Sequence, residues 1–177
     1  MAQYKLDPTH SAADFSTRHM MITTVRGGFK TVNGTLTYDP QNPAASSVEA
    51  VIETKSLSST GVEQRDQHLA SPDFLDVATY PSITFKSTKV EPYSGSEKAK
   101  ITGDLTIRNV TKSVVLDVEF LGETKSPFGD TRVGFTGTTK INREDFGLTW
   151  NMALETGGWL VGKDINITVD AEAILVV

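Results

Sequence analysis

Three histidines are the side chains best suited to metal binding or acid–base chemistry in this sequence. They are His10, His19 and His68. A zinc site made only of histidine needs three such ligands to converge on one ion. His10 and His19 flank one predicted strand and His68 lies in a predicted helix, so no ligand-spacing motif joins them. We therefore predict no metal site, and interpret the histidines as hydrogen-bonded groups that anchor loops.

A nucleophile with a neighbouring base is the next chemistry to consider. Asp7, His10 and Ser11 are close in sequence, but adjacent strand residues point to opposite faces, so His10 is unable to activate Ser11. No Gly-x-Ser-x-Gly turn is present. Two carboxylate pairs occur in turn-like segments, where capping is the commoner role: Asp73 with Asp76, and Glu144 with Asp145. The sequence predicts no catalytic residue.

Phosphate binding has no loop signature here. Gly27-Gly28 and Gly157-Gly158 match neither glycine-rich phosphate-binding template. Arg26, beside the first pair, has a guanidinium that can bond an anionic head group bidentately at the mouth of a barrel. The alternative is a solvated turn arginine. We predict no cofactor.

Large apolar side chains cluster near the ends of predicted strands and near the predicted helix. They are Phe15, Met20, Met21, Ile22, Phe29, Phe74, Phe85, Phe135, Phe146, Leu148 and Trp150. Such residues commonly form a core. In an eight-stranded barrel, however, the interior either fills with side chains or holds one slender ligand. Flexible methionines at positions 20 and 21 suit an adaptable apolar entrance.

Composition limits the classes of function. The 177 residues, 38% of them hydrophobic, are enough for one domain, 1–177, with an ample core. The net charge of -5 argues against broad electrostatic binding to nucleic acid or to anionic lipid. The absence of cysteine excludes disulfides, thiol catalysis and cysteine-based zinc sites.

The chain shows no targeting or spanning segment. Its first residues contain no apolar h-region, and no stretch approaches the ~20 apolar residues that a membrane span needs. We therefore expect no membrane span and a cytoplasmic location, or a periplasmic one if a leader has been removed.

Period-two alternation of apolar and polar residues is the dominant pattern, and it predicts about eight strands. The clear runs are 48–53, 101–108, 114–120, 133–141 and 165–173, and weaker runs are 11–18, 28–38 and 82–90. Between them, only the stretch from Gly61 to Ala70 reads as a helix.

Turn residues between the runs favour antiparallel hairpins, which suit a sandwich or a closed barrel. Long runs such as Thr131–Ile141 and Lys163–Val176 favour a tall, tilted barrel. The predicted fold class is all-β, an eight-stranded antiparallel barrel with one short helical insertion. Glycines inside strands relieve crowding at bends or clear room for a ligand; they are Gly34, Gly103, Gly134 and Gly137.

Several sequence blocks are more specific than periodicity. They are Asp7-Pro8-Thr9-His10-Ser11, Val25-Arg26-Gly27-Gly28-Phe29, the block from His68 to Asp76, the block from Gly103 to Lys112, and Arg143-Glu144-Asp145-Phe146-Gly147-Leu148. Together they extend over essentially the whole chain. The sequence resembles the bacterial YceI-like family in these blocks.

The resemblance implies a lipocalin-like barrel that binds a long-chain isoprenoid, a quinone-like lipid or a similar amphiphile in an apolar interior, often as a homodimer. Many family members are periplasmic. On this basis we predict a non-catalytic carrier protein. The residues expected to contact the lipid are Phe15, Met20, Phe29, Leu36, Ile52, Leu69, Phe74, Phe85, Leu105, Ile107, Phe135, Phe146 and Trp150.

Two alternatives remain open at this point. One is an enzyme that acts on a lipid inside the barrel, with His10 or His68 as acid–base. The other is a structural or interaction module whose barrel is filled by side chains.

Overall fold

The computed structural model describes residues 1–177, which form eleven β-strands and one α-helix. The strands are Ala2–Leu6 (β1), Ala12–His19 (β2), Thr23–Phe29 (β3), Val32–Tyr38 (β4), Ser47–Glu53 (β5), Leu57–Ser58 (β6), Ser82–Pro92 (β7), Lys98–Ile107 (β8), Val110–Lys125 (β9), Thr131–Asn142 (β10) and Asp164–Leu175 (β11). The helix is Glu63–Ala70 (α1), and three short 3-10 helices cover Pro43–Ala45, Thr54–Ser56 and Arg143–Phe146.

Eight strands close into an antiparallel barrel, in the order β1, β4, β5, β7, β8, β9, β10, β11. Strand β1 closes the ring, because it pairs with β4 on one side and with β11 on the other. A closed ring of strands has no free edge, so each of these eight strands has a hydrogen-bonded neighbour on both sides.

The wall extends beyond the ring at one end, where β2, β3 and β6 continue the sheet from β11. Strands β1 and β2 lie on the same side of β11: β1 pairs with its last residues, and β2 pairs with residues 166–170. The two strands therefore act as one long strand that is interrupted between Leu6 and Ala12.

The single α-helix lies near this extended end. It begins two residues later than the helix predicted from Gly61, and ends at Ala70 as predicted. The structure contains no helix with the length and apolarity that crossing a membrane requires.

The prediction of an all-β, eight-stranded antiparallel barrel with one short helix is confirmed. The predicted runs correspond to strands β2 to β5 and β7 to β11. The run at 28–38 is interrupted between β3 and β4. Strand β1 was not among the predicted runs, although it closes the barrel.

Two glycines of the wall lie where a side chain has no room. A Cβ at Gly103 would collide with the ring of Phe85 on β7. A Cβ at Gly34 would collide with the backbone carbonyl of Glu49 and would lie 3.0 Å from the Cα of Ala50. The expectation that strand glycines relieve crowding holds at these two positions, because their neighbouring groups occupy the space of the missing Cβ.

We expect Gly34→Ala to lower the free energy of unfolding by about 1–3 kcal/mol, because backbone of β5 must move to admit the methyl group. Gly134→Ala is the matched control, since the nearest atom to its added Cβ, on Leu121, is 3.7 Å away. The control should stay within about 0.5 kcal/mol of the parent protein. Urea unfolding measures both, and equal losses would contradict the close-approach explanation.

Candidate ligand-binding site

An apolar cavity lies inside the barrel. Its volume is about 370 Å³, and 33 of the 45 residues that line it are hydrophobic. The lining follows from strand geometry, because successive side chains of a strand point to opposite faces of the wall. On β5, for example, Val48, Ala50 and Ile52 face the cavity, while Glu49 and Val51 between them are exposed.

Few side chains of this protein are fully enclosed by other protein atoms. Only 23 of the 177 residues are buried, and the inward-facing apolar positions of β9 and of most of β11 keep intermediate accessibility. A filled barrel would bury these inward-facing residues. Their remaining accessible surface faces the cavity, so the barrel is hollow.

Aromatic rings form part of the cavity wall near one end. The ring of Tyr38 lies 5.4 Å from that of Phe120 and 5.5 Å from that of Phe135, and the rings of Phe120 and Phe135 are 5.3 Å apart. These separations are typical of stabilising aromatic pairs. Burial raises the pKa of Tyr38, and the nearby carboxylates of Glu97 and Glu123 raise it further.

The two ends of the cavity differ. At the hairpin between β7 and β8, its lining includes the exposed residues Pro92 and Ser96 to Lys98, so the cavity reaches solvent there. At the other end, the lining includes Phe74, Phe146 and Leu148, which are buried. This second end is closed by the helix region and by the segment that follows β10.

Arg143 holds the closed end together. Its Nε donates to the carbonyl of Gly162 (2.8 Å), its Nη1 to those of Leu148 (2.6 Å) and Trp150 (2.9 Å), and its Nη2 to that of Val161 (3.3 Å). Arg143 is 3% exposed, and its guanidinium has no carboxylate within ion-pair distance. Burial lowers the pKa of Arg143. One side chain thus ties both ends of the segment between β10 and β11 to the barrel.

A cluster of charged side chains lies at the junction between β1 and β2. His10 Nδ1 is 2.9 Å from Asp7 Oδ2, and Arg132 Nη1 bonds both Asp7 and Glu172. Ligand atoms of Asp7, His10 and Glu172 lie within 4.8 Å of one another, a geometry that can suit a metal ion. Here the guanidinium of Arg132 already supplies the positive charge, so the cluster works as an ion-pair network between β10, β11 and the β1–β2 junction.

This network shifts the ionisation of its members. The hydrogen bond that His10 donates to Asp7, followed by the charge of Glu172, raises the pKa of His10. The hydrogen bonds from His10 and then from Thr9 lower the pKa of Asp7 well below its usual range.

The three histidines have separate partners. His68 Nε2 is 2.9 Å from Asp73 Oδ2, and its ring contacts those of Phe74 and Trp150 edge-on. The backbone of His19 forms an isolated antiparallel β-bridge with Val161, in the segment after β10. Neither His10 nor His68 is among the residues that line the cavity.

Of the residues expected to contact a lipid, all except Met20 and Trp150 line the cavity. Met20 is 41% exposed in the tight β2–β3 turn, where its backbone adopts a left-handed conformation. The ring of Trp150 packs on His68 and Phe74 behind the closed end. Contact of the other residues with a ligand stays a prediction.

Sequence reasoning did not select several residues that line the cavity. These include Val48, Ala50, Ile101, Val114, Leu116, Val118, Phe120, Ile165, Ile167, Val169 and Ala171. Each lies on the apolar face of a strand that the alternation of apolar and polar residues predicts. Assigning every residue of that face to the barrel interior would have found them, whereas selecting large aromatic side chains did not.

A family model described as the YceI-like domain matches residues 4–173. The chain belongs to the YceI-like family. Among curated relatives, a UPF0312 protein of Vibrio cholerae is 40% identical over 149 residues, which cover 83% of this chain and 78% of that protein. A UPF0312 protein of Pseudomonas syringae is 42% identical, with coverages of 83% and 77%.

Solved structures of other proteins share the fold of this YceI-like chain. Burkholderia cenocepacia BcnA matches with a TM-score of 0.81 at 24% identity, covering 94% of this chain and 98% of BcnA. The Campylobacter jejuni YCEI protein matches with 0.72 at 34% identity, covering 89% and 88%. A polyisoprenoid binding domain from Saccharophagus degradans matches with 0.69 at 15% identity, covering 99% and 100%.

We expect Arg143→Lys to destabilise this YceI-like barrel by about 2–4 kcal/mol. The compact ammonium group of lysine lacks the branched guanidinium and is unable to bond four carbonyls at once. Urea unfolding followed by circular dichroism measures the loss. Arg26→Lys is the matched control, since Arg26 is exposed, and it should change stability by less than about 0.5 kcal/mol. Equal effects of the two substitutions would contradict the anchoring role.

We expect an NMR titration to give His10 a pKa above 6.5, and Asp7→Asn to lower it. A raised folded-state pKa means that the His10 interaction stabilises the fold fully below the unfolded pKa, about 6.5, and is lost as pH rises through the folded value. Asp73→Asn, which removes the partner of His68, is the control and should leave His10 unchanged. The same His10 pKa with and without Asp7 would show that the pair does not form in solution.

Proposed function

We propose that this protein binds and carries a long-chain polyisoprenoid, or a quinone-like lipid of similar shape, inside its barrel, without catalysing a reaction on it. The observation that carries the proposal is the apolar cavity of about 370 Å³ with 33 hydrophobic residues in its lining. A slender, flexible, apolar chain is the type of ligand that matches a long cavity with so few polar groups.

The energetic cost of an empty cavity supports an occupant. At roughly 24 cal/mol per Å³, a sealed void of this size would cost about 9 kcal/mol relative to a filled interior. Because this cavity reaches solvent at the hairpin end, that figure is an upper limit. A bound chain restores the contacts that the apolar lining lacks.

Burial of the ligand provides enough free energy for binding without a charged anchor. Each methylene is worth about 0.8 kcal/mol, so one isoprenoid unit contributes a gross ~3–4 kcal/mol, and several units exceed the cost of association. The net charge of -5 is therefore compatible with a lipid ligand.

The two alternative functions have less support. An enzyme with His10 or His68 as its acid–base group needs one of them beside the ligand, and neither lines the cavity. A filled structural barrel needs side chains that occupy the interior, and the cavity argues against that.

The comparisons support a binding role. A neighbouring fold, that of Saccharophagus degradans, is described as a polyisoprenoid binding domain. At 15% identity this likeness supports the architecture, and the transfer of its ligand class to this chain is our proposal. Dimerisation and cellular location stay predictions from the sequence.

We expect organic extraction of the purified protein, followed by mass spectrometry, to release an isoprenoid-type lipid, and Val169→Glu to reduce its amount at least tenfold. Val169 lines the cavity, so a carboxylate there loses its hydration beside the apolar chain. Thr168→Glu is the matched control, because Thr168 is the adjacent, exposed residue on the outer face of β11.

Circular dichroism checks that both variants fold. If Val169→Glu does not fold, Val169→Phe narrows the cavity without adding charge and should shorten the longest chain that binds. Equal lipid occupancy in folded Val169→Glu and Thr168→Glu, or no lipid bound by the parent protein even after exposure to isoprenoids, would overturn the proposal.

A further inference from the structure

The barrel wall has a gap between the first residues of β9 and the last residues of β10. Their pairing runs from Thr131 opposite Lys125 to Thr138 opposite Asp117, and stops there. Both strands continue beyond that point, β9 back to Val110 and β10 forward to Asn142. The hydroxyl of Thr139 donates to the carbonyl of Val115 (2.8 Å), so a side chain crosses the gap just past the last pair.

A surface groove of about 300 Å³ occupies this gap. Its lining comes from residues 112–115 of β9, residues 139–142 of β10, and Asp145 and Phe146 of the 3-10 helix that follows. Four of these residues also line the central cavity: Val114, Thr139, Ile141 and Phe146. The groove and the cavity are thus separated by the thickness of single side chains, without a continuous hydrogen-bonded wall. We call this feature the slit.

The residues that line the outer rim of the slit are polar and include two lysines and one carboxylate. Lys112 and Lys140 lie on opposite sides of it, and Asp145 is the one carboxylate in its lining. Lys112 forms no ion pair, and Lys140 Nζ is 3.5 Å from Asp164 Oδ2, with both side chains exposed. Such exposed pairs are weak, so both ammonium groups can bind an anionic oxygen.

We propose that the slit is a lateral portal, through which the chain of an amphiphile enters the cavity while its anionic head group stays at the rim beside Lys112 and Lys140. The head group would carry phosphate or carboxylate oxygens, because these accept hydrogen bonds from ammonium groups. This inference rests on the proposed lipid-binding function, and it adds an entry route and a head-group chemistry.

The slit suits a charged head group better than the open end at the β7–β8 hairpin. At the hairpin end, the charged residues of the lining are Glu97 and Lys98, whose charges cancel. A strand gap also opens more easily than a paired wall, because no ladder hydrogen bonds have to break. Apolar Val114, Ile141 and Phe146 lie just inside the rim, where an apolar chain must pass.

The absence of cysteine from the chain permits a clean test of the portal. Val115→Cys with Lys140→Cys places one thiol on each side of the slit, on exposed positions. The double variant is either linked with a short bis-maleimide or capped with a mono-maleimide. Association of geranylgeranyl phosphate, followed by tryptophan fluorescence in a stopped-flow instrument, should be at least tenfold slower in the linked than in the capped protein.

A second pair of cysteines controls for the effect of the cross-link itself. Lys100→Cys with Asp117→Cys joins register partners on the paired wall between β8 and β9, so linking it should leave the association rate unchanged. Equal rates for linked and capped protein at the slit would overturn the portal and assign entry to the hairpin end. If the parent protein binds neither geranylgeranyl phosphate nor geranylgeraniol, the proposed function itself fails, which is a distinct result.

The head-group assignment has its own test. We expect Lys112→Glu to lower the ratio of affinities for geranylgeranyl phosphate and geranylgeraniol about tenfold, because it reverses a charge next to the phosphate. Lys5→Glu, an exposed substitution on β1, is the matched control and should keep the parent ratio. An unchanged ratio in Lys112→Glu would overturn the assignment of the head group to the slit.

Discussion

Closure of the sheet into a ring is the constraint on which the rest of this structure depends. A hollow apolar interior tends to collapse, since every inward side chain would gain contacts by moving to the centre. Strand β1 prevents this by pairing with both β4 and β11, so the wall resists inward movement through hydrogen bonds on all sides. The network of Asp7, Arg132 and Glu172 links β10 and β11 to the same junction, where β1 stops and β2 begins.

The ring alone would leave an open tube, and Arg143 explains why this one is closed at one end. The segment between β10 and β11 has little regular structure, so its carbonyls need donors from elsewhere. Arg143 supplies four of these hydrogen bonds from one buried position. The aromatic rings of Phe74 and Trp150 then pack beside it, and the cavity ends there. A buried cation is thus used here to fix backbone, and its carbonyl partners offset the loss of hydration.

Alternation in the sequence predicted most of the wall, because it reports a local property: which side chains of a strand share a face. It did not predict β1, since Tyr4 and Leu6 give too short a pattern to stand out and acquire their meaning from two distant partners. For the same reason, Met20 and Trp150 were grouped with the lipid contacts although they lie outside the cavity. The role of Arg143 also depends on carbonyls remote in sequence, which no spacing rule reveals.

Ring closure and the proposed exchange of a ligand through the slit place opposite demands on the barrel wall. A barrel that is paired all around at every level is stable, but a cargo can then pass only through its ends. This wall is fully paired at the level of β1, and it loses the β9–β10 pairing only beyond Thr138. The opening therefore lies away from the closing strand, where parting the wall breaks the fewest hydrogen bonds. A ligand chain within the cavity would in turn replace the contacts that the hollow interior lacks, so stability and occupancy are thermodynamically linked.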